Sequence, residues 1–142
     1  MSIDSNSTAG RTLSLVEQYY AAFNRGDWEG MLAFLTEDVV HDINQGGRES
    51  GRDTFRGFLG RMNRSYRERL ENIVVLTSAD GTRAGAEYVV HGEYLADDEG
   101  LPPANGQRYV LPGGAFFDIR DGRIARVSNY YNLADWIRQV GG

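Results

Sequence analysis

The sequence predicts a single α+β domain in which helices cover one face of an antiparallel sheet and leave a cavity between the two layers. Three observations predict it. Apolar residues recur at helical spacing as far as about residue 66, and beyond that point the period becomes two. The dipeptides Asp80-Gly81 and Asp121-Gly122 each separate two β-rich runs, the place a tight hairpin puts them. A block of helices followed by a block of strands is an α+β order, without the alternation that parallel βαβ units require. A chain of 142 residues is the size of one domain able to bury a core without disulfides or metal.

Residues 1–10 are small and polar and read as a flexible tail, leaving 11–142 as the domain. Leu13, Val16, Tyr20 and Phe23 mark a first helix that Gly26 stops. Asp27 suits the N-cap of a second, carrying Trp28, Met31, Leu32 and Leu35. Val39–Ile43 is β-rich and leads into a turn at Gly46-Gly47. A third helix from about Arg52 to Tyr66 aligns Phe55, Phe58, Leu59, Met62 and Tyr66 on one stripe. The arginines around it, Arg52, Arg56, Arg61, Arg64 and Arg67, read first as a solvated face and second as a dock for an anionic carrier. Ile73–Thr77 pairs with Ala84–Tyr94, and Tyr109–Ile119 with Ile124–Tyr131. The two-proline loop Ala96–Gly106 lies between these hairpins, and a short helix, Leu133–Val140, ends the chain.

Composition narrows the function classes. Hydrophobic residues at 41% and charged residues at 25% belong to a globular chain. There is no Cys, which excludes thiol nucleophiles, disulfides and thiolate metal sites, and all fifteen basic residues are Arg, which excludes lysine chemistry. A net charge of −5 argues against a partner bound by phosphate neutralisation, so no nucleic acid is expected. No membrane-length apolar run and no signal-peptide pattern occur, so a cytoplasmic location and no membrane partner are expected.

Alternation sorts the strand faces. Ala84, Ala86, Tyr88, Val90, Gly92 and Tyr94 share the inner face of one strand, and Tyr109, Leu111, Gly113, Ala115, Phe117 and Ile119 that of the next. Arg126 and Ser128 mark the outside of the last strand, so Val127, Asn129 and Tyr131 point inward. Small residues gather where a packed sheet wants branched bulk, and the polar tips of Tyr88, Tyr109, Asn129 and Tyr131 converge on the same face. That pattern predicts a cavity, with those four as substrate-binding candidates. A buried amide left unpaired costs about 1–3 kcal/mol, so Asn129 needs a partner: a backbone group, a water or a ligand.

Tyr19-Tyr20-Ala21-Ala22-Phe23-Asn24-Arg25-Gly26-Asp27, Leu35–Asp42, Gly100–Gln107, Phe117–Ile124 and Tyr130–Ala134 resemble the nuclear transport factor 2-like superfamily, in its ketosteroid isomerase and SnoaL-like polyketide cyclase branches. The resemblance spans roughly residues 12–140. It implies a cone-shaped fold, a curved mixed or antiparallel sheet wrapped around three N-terminal helices with an interior cavity. It further implies a homodimer through the outer face of the sheet and proton transfer without a cofactor. In ketosteroid isomerase a carboxylate moves the proton while a tyrosine and a neutral carboxylic acid hold the enolate oxygen.

Carried onto this chain, the oxyanion tyrosine falls on Tyr19. The base falls on Ile43 by ungapped counting and on Asp42 with one deletion, while His41 is the substitute base if the register shifts. Neighbours on a strand point to opposite faces, so only one of His41 and Asp42 sees the cavity. The neutral acid falls on Gly114 or Ala115 and is therefore missing. The function expected is an isomerase, cyclase or dehydratase acting by general acid–base catalysis on a small apolar or carbonyl-containing molecule. In it Asp42, its pKa raised by burial, is the base and Tyr19 the oxyanion donor, with Asn129 or Tyr131 as a second donor. The alternative is a ligand-binding domain without catalysis. No metal site is expected, since His41 and His91 lie on different elements without a carboxylate cluster.

Overall fold

The computed structural model describes residues 4–141. Helix α1, Thr8–Arg25, is capped by the Ser7 hydroxyl, which accepts from the Gly10 amide, and ends at Gly26 in the left-handed region. Helix α2, Trp28–Ala33, is capped by Asp27 as its sequence position suggests. Then come β1 (Leu35–Asp42), β2 (Arg48–Ser50), α3 (Arg52–Ser65), β3 (Tyr66–Thr77), β4 (Arg83–Tyr94), β5 (Gln107–Arg120), β6 (Arg123–Tyr131) and α4 (Leu133–Gly141).

The strands form one curved, unclosed sheet in the order β2-β1-β6-β5-β4-β3. Neighbours are antiparallel except β1 and β6, which run parallel, so the sheet is mixed. Register breaks between Glu71 and Val74 and between Asp118 and Ile119 interrupt the long strands, and such bulges bend a sheet. The concave face receives α1, where Val16, Tyr19, Tyr20 and Ala22 pack on Ala84, Ala86, Ala115 and Phe117 of the sheet in one core. Two polar links fasten this layer. Thr12 Oγ1 donates to Gly81 O at 2.6 Å, and the Asn24 side chain exchanges two hydrogen bonds with the Leu70 backbone, at 2.9 and 3.0 Å.

The inner and outer faces of β4, and of β5 as far as Phe117, follow the alternation read from the sequence, whereas β6 departs from it: Ser128, read as outer, is buried and Tyr131, read as inner, is exposed. Elsewhere the boundaries differ. The expected tail is helical from Thr8, with Ala9 and Gly10 buried, and residues 1–3 of it lie outside the described residues. Leu35 begins β1 instead of ending α2, and β2 is an added edge strand. Strand β3 starts at Tyr66, seven residues before Ile73, because Arg67, Glu68, Arg69 and Glu71 hide its alternation under charge on both faces.

Candidate functional site

A cavity of about 270 Å³ lies between the helices and the concave face of the sheet. Its wall is mainly apolar and aromatic. Tyr19, Tyr20 and Phe23 come from α1, and Phe55, Phe58 and Leu59 from α3. Among the small inner residues, two glycines make room for rings rather than for empty space. A Cβ on Gly92 would sit 2.3 Å from the Tyr109 ring, and one on Gly113 would sit 2.8 Å from Tyr88. The tyrosines therefore lie flat against the sheet, which keeps their hydroxyls at the cavity wall.

The parallel β1–β6 register decides which member of His41-Asp42 looks inward. His41 stands opposite Val127, an inner residue, and Asp42 opposite Ser128 on the outer side. His41 is 2% exposed and lines the cavity, its ring 4.5 Å from those of both Phe55 and Phe58. The Asn129 amide nitrogen lies 3.1 Å from His41 Nε2 and donates to it, which places the imidazole proton on Nδ1. Nδ1 is buried without a hydrogen-bond partner. Burial lowers the His41 pKa from 6.5 to about 4, so the ring is neutral at pH 7.

Asp42 is corrected on both counts. It does not line the cavity. Arg48 Nε donates to its Oδ1 at 2.6 Å, the Ser128 hydroxyl donates to Oδ2 at 2.5 Å, and Arg126 stands 3.9 Å away. These partners, Arg48 foremost, lower its pKa to about 2, the reverse of the rise expected for a base in an apolar pocket. Ile43 lines the cavity but has nothing that ionises.

Tyr19 is buried, lines the cavity and packs edge-on against Tyr20 and Phe117. Its hydroxyl has no hydrogen-bond partner among the described residues, and burial keeps it protonated far above its usual range. It is thus an unengaged donor at the cavity wall. Tyr88, Tyr109, Asn129 and Tyr131 also line the space. Tyr131 is exposed, and its backbone amide donates to Asn44 Oδ1 at 3.1 Å. His91 is on the outer face, 2.9 Å from Glu71.

The structure adds Glu68, which the sequence reading passed over. Glu68 lines the cavity, and the Tyr109 hydroxyl donates to its Oε2 at 2.7 Å. A second pair joins the Tyr66 hydroxyl to Asp98 Oδ2 at 2.7 Å. Glu68 stands on β3 at the i+2 position from Tyr66, so its inward direction was readable once the strand began there. Among the described residues no three His, Asp or Glu side chains come together as metal ligands, and no helix is long and apolar enough to cross a membrane.

Comparison with known proteins adds a family to this geometry. No curated protein matches the chain. A crystal structure from Xanthomonas campestris pv. campestris, provisionally named a polyketide cyclase, is 67% identical and superposes with a TM-score of 0.91, covering 94% of this chain and 98% of that one. A second, from Pseudomonas putida and named in the same provisional way, is 64% identical over 91% of this chain and 97% of its own, with a TM-score of 0.90. A provisional ketosteroid isomerase from Kribbella flavida, at 23% identity and a TM-score of 0.63 over 89% of this chain and 81% of its own, shares the fold alone. The sequence pattern of the SnoaL-like domain matches residues 16–127, and the chain belongs to that family.

Proposed function

We propose that the cavity is the active site of a cofactor-independent enzyme that moves a proton on a small, mainly apolar carbonyl compound, in an isomerisation, cyclisation or dehydration. The observation that carries this reading is His41, a neutral imidazole facing an apolar cavity and held by Asn129. A base with a pKa near 4 is fully available at pH 7 but drives proton removal weakly. It therefore suits a carbon acid already activated by two carbonyls, and a simple ketone would react poorly. The provisional polyketide cyclase names of the two similar proteins support the same substrate class, since poly-β-ketones carry such carbons.

In this reading the substrate displaces the Asn129 amide from Nε2, and Nε2 takes the proton. The Tyr19 hydroxyl then donates a hydrogen bond to the oxygen on which charge develops. The Asn129 amide, once released, is placed to be the second donor. Removal of one such donor typically costs about 100-fold or more in kcat.

The test is turnover, or solvent deuterium exchange at the activated carbon, on a panel of β-diketones and enones. His41→Gln should abolish exchange and Tyr19→Phe should reduce it about 100-fold, while Asp42→Asn leaves kcat within a few-fold. Exchange that survives in His41→Gln overturns the assignment. One observation favours the second reading, a binding domain without catalysis: the Nε2 lone pair is occupied by Asn129. Saturable binding of these compounds without exchange on any of them would decide for it.

A further inference from the structure

Four of the tyrosines that line the cavity gather around carboxylates. Tyr109 bonds Glu68 and Tyr66 bonds Asp98. The charge of Glu68 is close enough to raise the pKa values of Tyr88, Tyr109 and Tyr131 as well. Each carboxylate accepts from a tyrosine through one oxygen, and its other oxygen has no hydrogen bond from a described residue. No arginine stands among the described residues that line the cavity, and the chain contains no lysine. The one other ionisable nitrogen there is His41, which burial keeps neutral.

A carboxylate set among aromatic rings without a cationic partner is partly desolvated, and a phenol hydrogen bond offsets only part of that cost. Desolvation raises the pKa of Glu68 even though the residue as a whole is exposed, so its carboxylate is reachable by a ligand. The arrangement leaves a place for a hydrogen-bond donor supplied from outside the chain. The indole of Trp136 and the phenol rings of Tyr66 and Tyr109 border the same space, and such faces attract a donor that carries positive charge.

We propose that Glu68 is the specificity residue of the cavity, selecting ligands that present an N–H or O–H donor on an apolar body and rejecting those that carry an anionic group. This rests on the reading of the cavity as the ligand site and narrows its substrate class: hydroxylated or amino-bearing compounds enter, and carboxylates, phosphates and coenzyme A tails do not. Asp98 shares the repulsion of anions, and the Tyr109 hydroxyl positions the Glu68 carboxylate.

Three probes of one shape test it: 2-naphthylmethylamine, 2-naphthylmethanol and 2-naphthoate, titrated against the full chain at pH 7 while the His41 and Phe55 ring resonances are followed by NMR. The amine and the alcohol should each bind about tenfold or more tightly than the carboxylate, as a hydrogen bond to a charged group warrants. Glu68→Gln should bring the amine and the carboxylate within about threefold of each other. Tyr109→Phe, which frees the Glu68 carboxylate without removing it, should keep the preference and guards against a poorly folded Glu68 variant. Naphthoate binding in the cavity as tightly as the amine, or a preference unchanged in Glu68→Gln, overturns the inference and leaves the cavity reading in place. Failure of all three probes to move the His41 and Phe55 resonances overturns both.

Discussion

His41 and Asp42 are neighbours in sequence with opposite chemistry, and one register accounts for both. The parallel pairing with β6 sends the imidazole into an aromatic pocket that cannot solvate a cation, and sends the carboxylate to Arg48 and Ser128. The depressed His41 pKa is also a statement about stability. Between about pH 4 and pH 6.5 the unfolded chain binds the proton that the folded chain refuses. Stability contributed by the neutral ring is thus present above pH 6.5 and lost as pH falls toward 4, by something on the order of 2 kcal/mol after allowing for solvent in the cavity. Urea unfolding of the native chain at pH 7 and pH 4.5 should show this loss, and His41→Gln should flatten it within that window. The Asp42 contribution is separated on the pH axis, since a carboxylate lowered to about 2 is lost only as pH falls below about 4. An unchanged slope in the His41 variant would mean that the ring is solvated and carries its proton in the fold.

At the level of elements, the hairpins were legible because Asp80-Gly81 and Asp121-Gly122 have few other uses between β-rich runs. The inner faces of β4 and β5 were legible because the alternation runs without a break from Ala84 to Tyr94 and from Tyr109 to Phe117. Strand β3 was obscured by the residue that matters most in it, since a carboxylate on the inner face breaks the pattern by which strands are recognised. The choice between His41 and Asp42 depended on pairing with a strand eighty residues away, which periodicity along one segment does not contain. The hairpin glycines share a dihedral but not surroundings. Gly81 has φ 74° and Gly122 φ 75°, yet a Cβ on Gly81 would lie 2.7 Å from the carbonyl carbon of Thr8, while nothing stands within 4 Å of one on Gly122. Gly122→Ala should cost about 1 kcal/mol for left-handed strain alone. Gly81→Ala should cost about 1–3 kcal/mol more, because it also pushes the β3–β4 turn off the start of α1 and weakens the Thr12 bond to Gly81 O. Chemical denaturation of the two variants side by side checks the difference, and equal losses would show that the α1 contact yields without strain.

At the level of the whole molecule, the sheet has a second face that the helices do not cover. Val74, Leu76, Val110, Phe116 and Tyr130 project from it, each at least half exposed, and the Phe116 and Tyr130 rings meet at 5.7 Å. Gly85 lies beside this pair, and its missing side chain makes room for the Phe116 ring, which lies 3.4 Å from where a Cβ would be. Exposed apolar clusters of this kind mark association surfaces, and a self-complementary patch on one chain is what a twofold dimer requires. The prediction is a homodimer through this face, with a mass by light scattering of twice 15.8 kDa at micromolar concentration. Phe116→Asp should shift it to a single chain by placing two carboxylates near the symmetry axis, and circular dichroism should be unchanged because the residue supports no part of the core. The cavity opens on the concave side of the same sheet, so the monomeric variant should still bind ligand there. A native chain that runs at 15.8 kDa would instead leave these side chains to solvent and remove the outer face from the account of how this fold assembles.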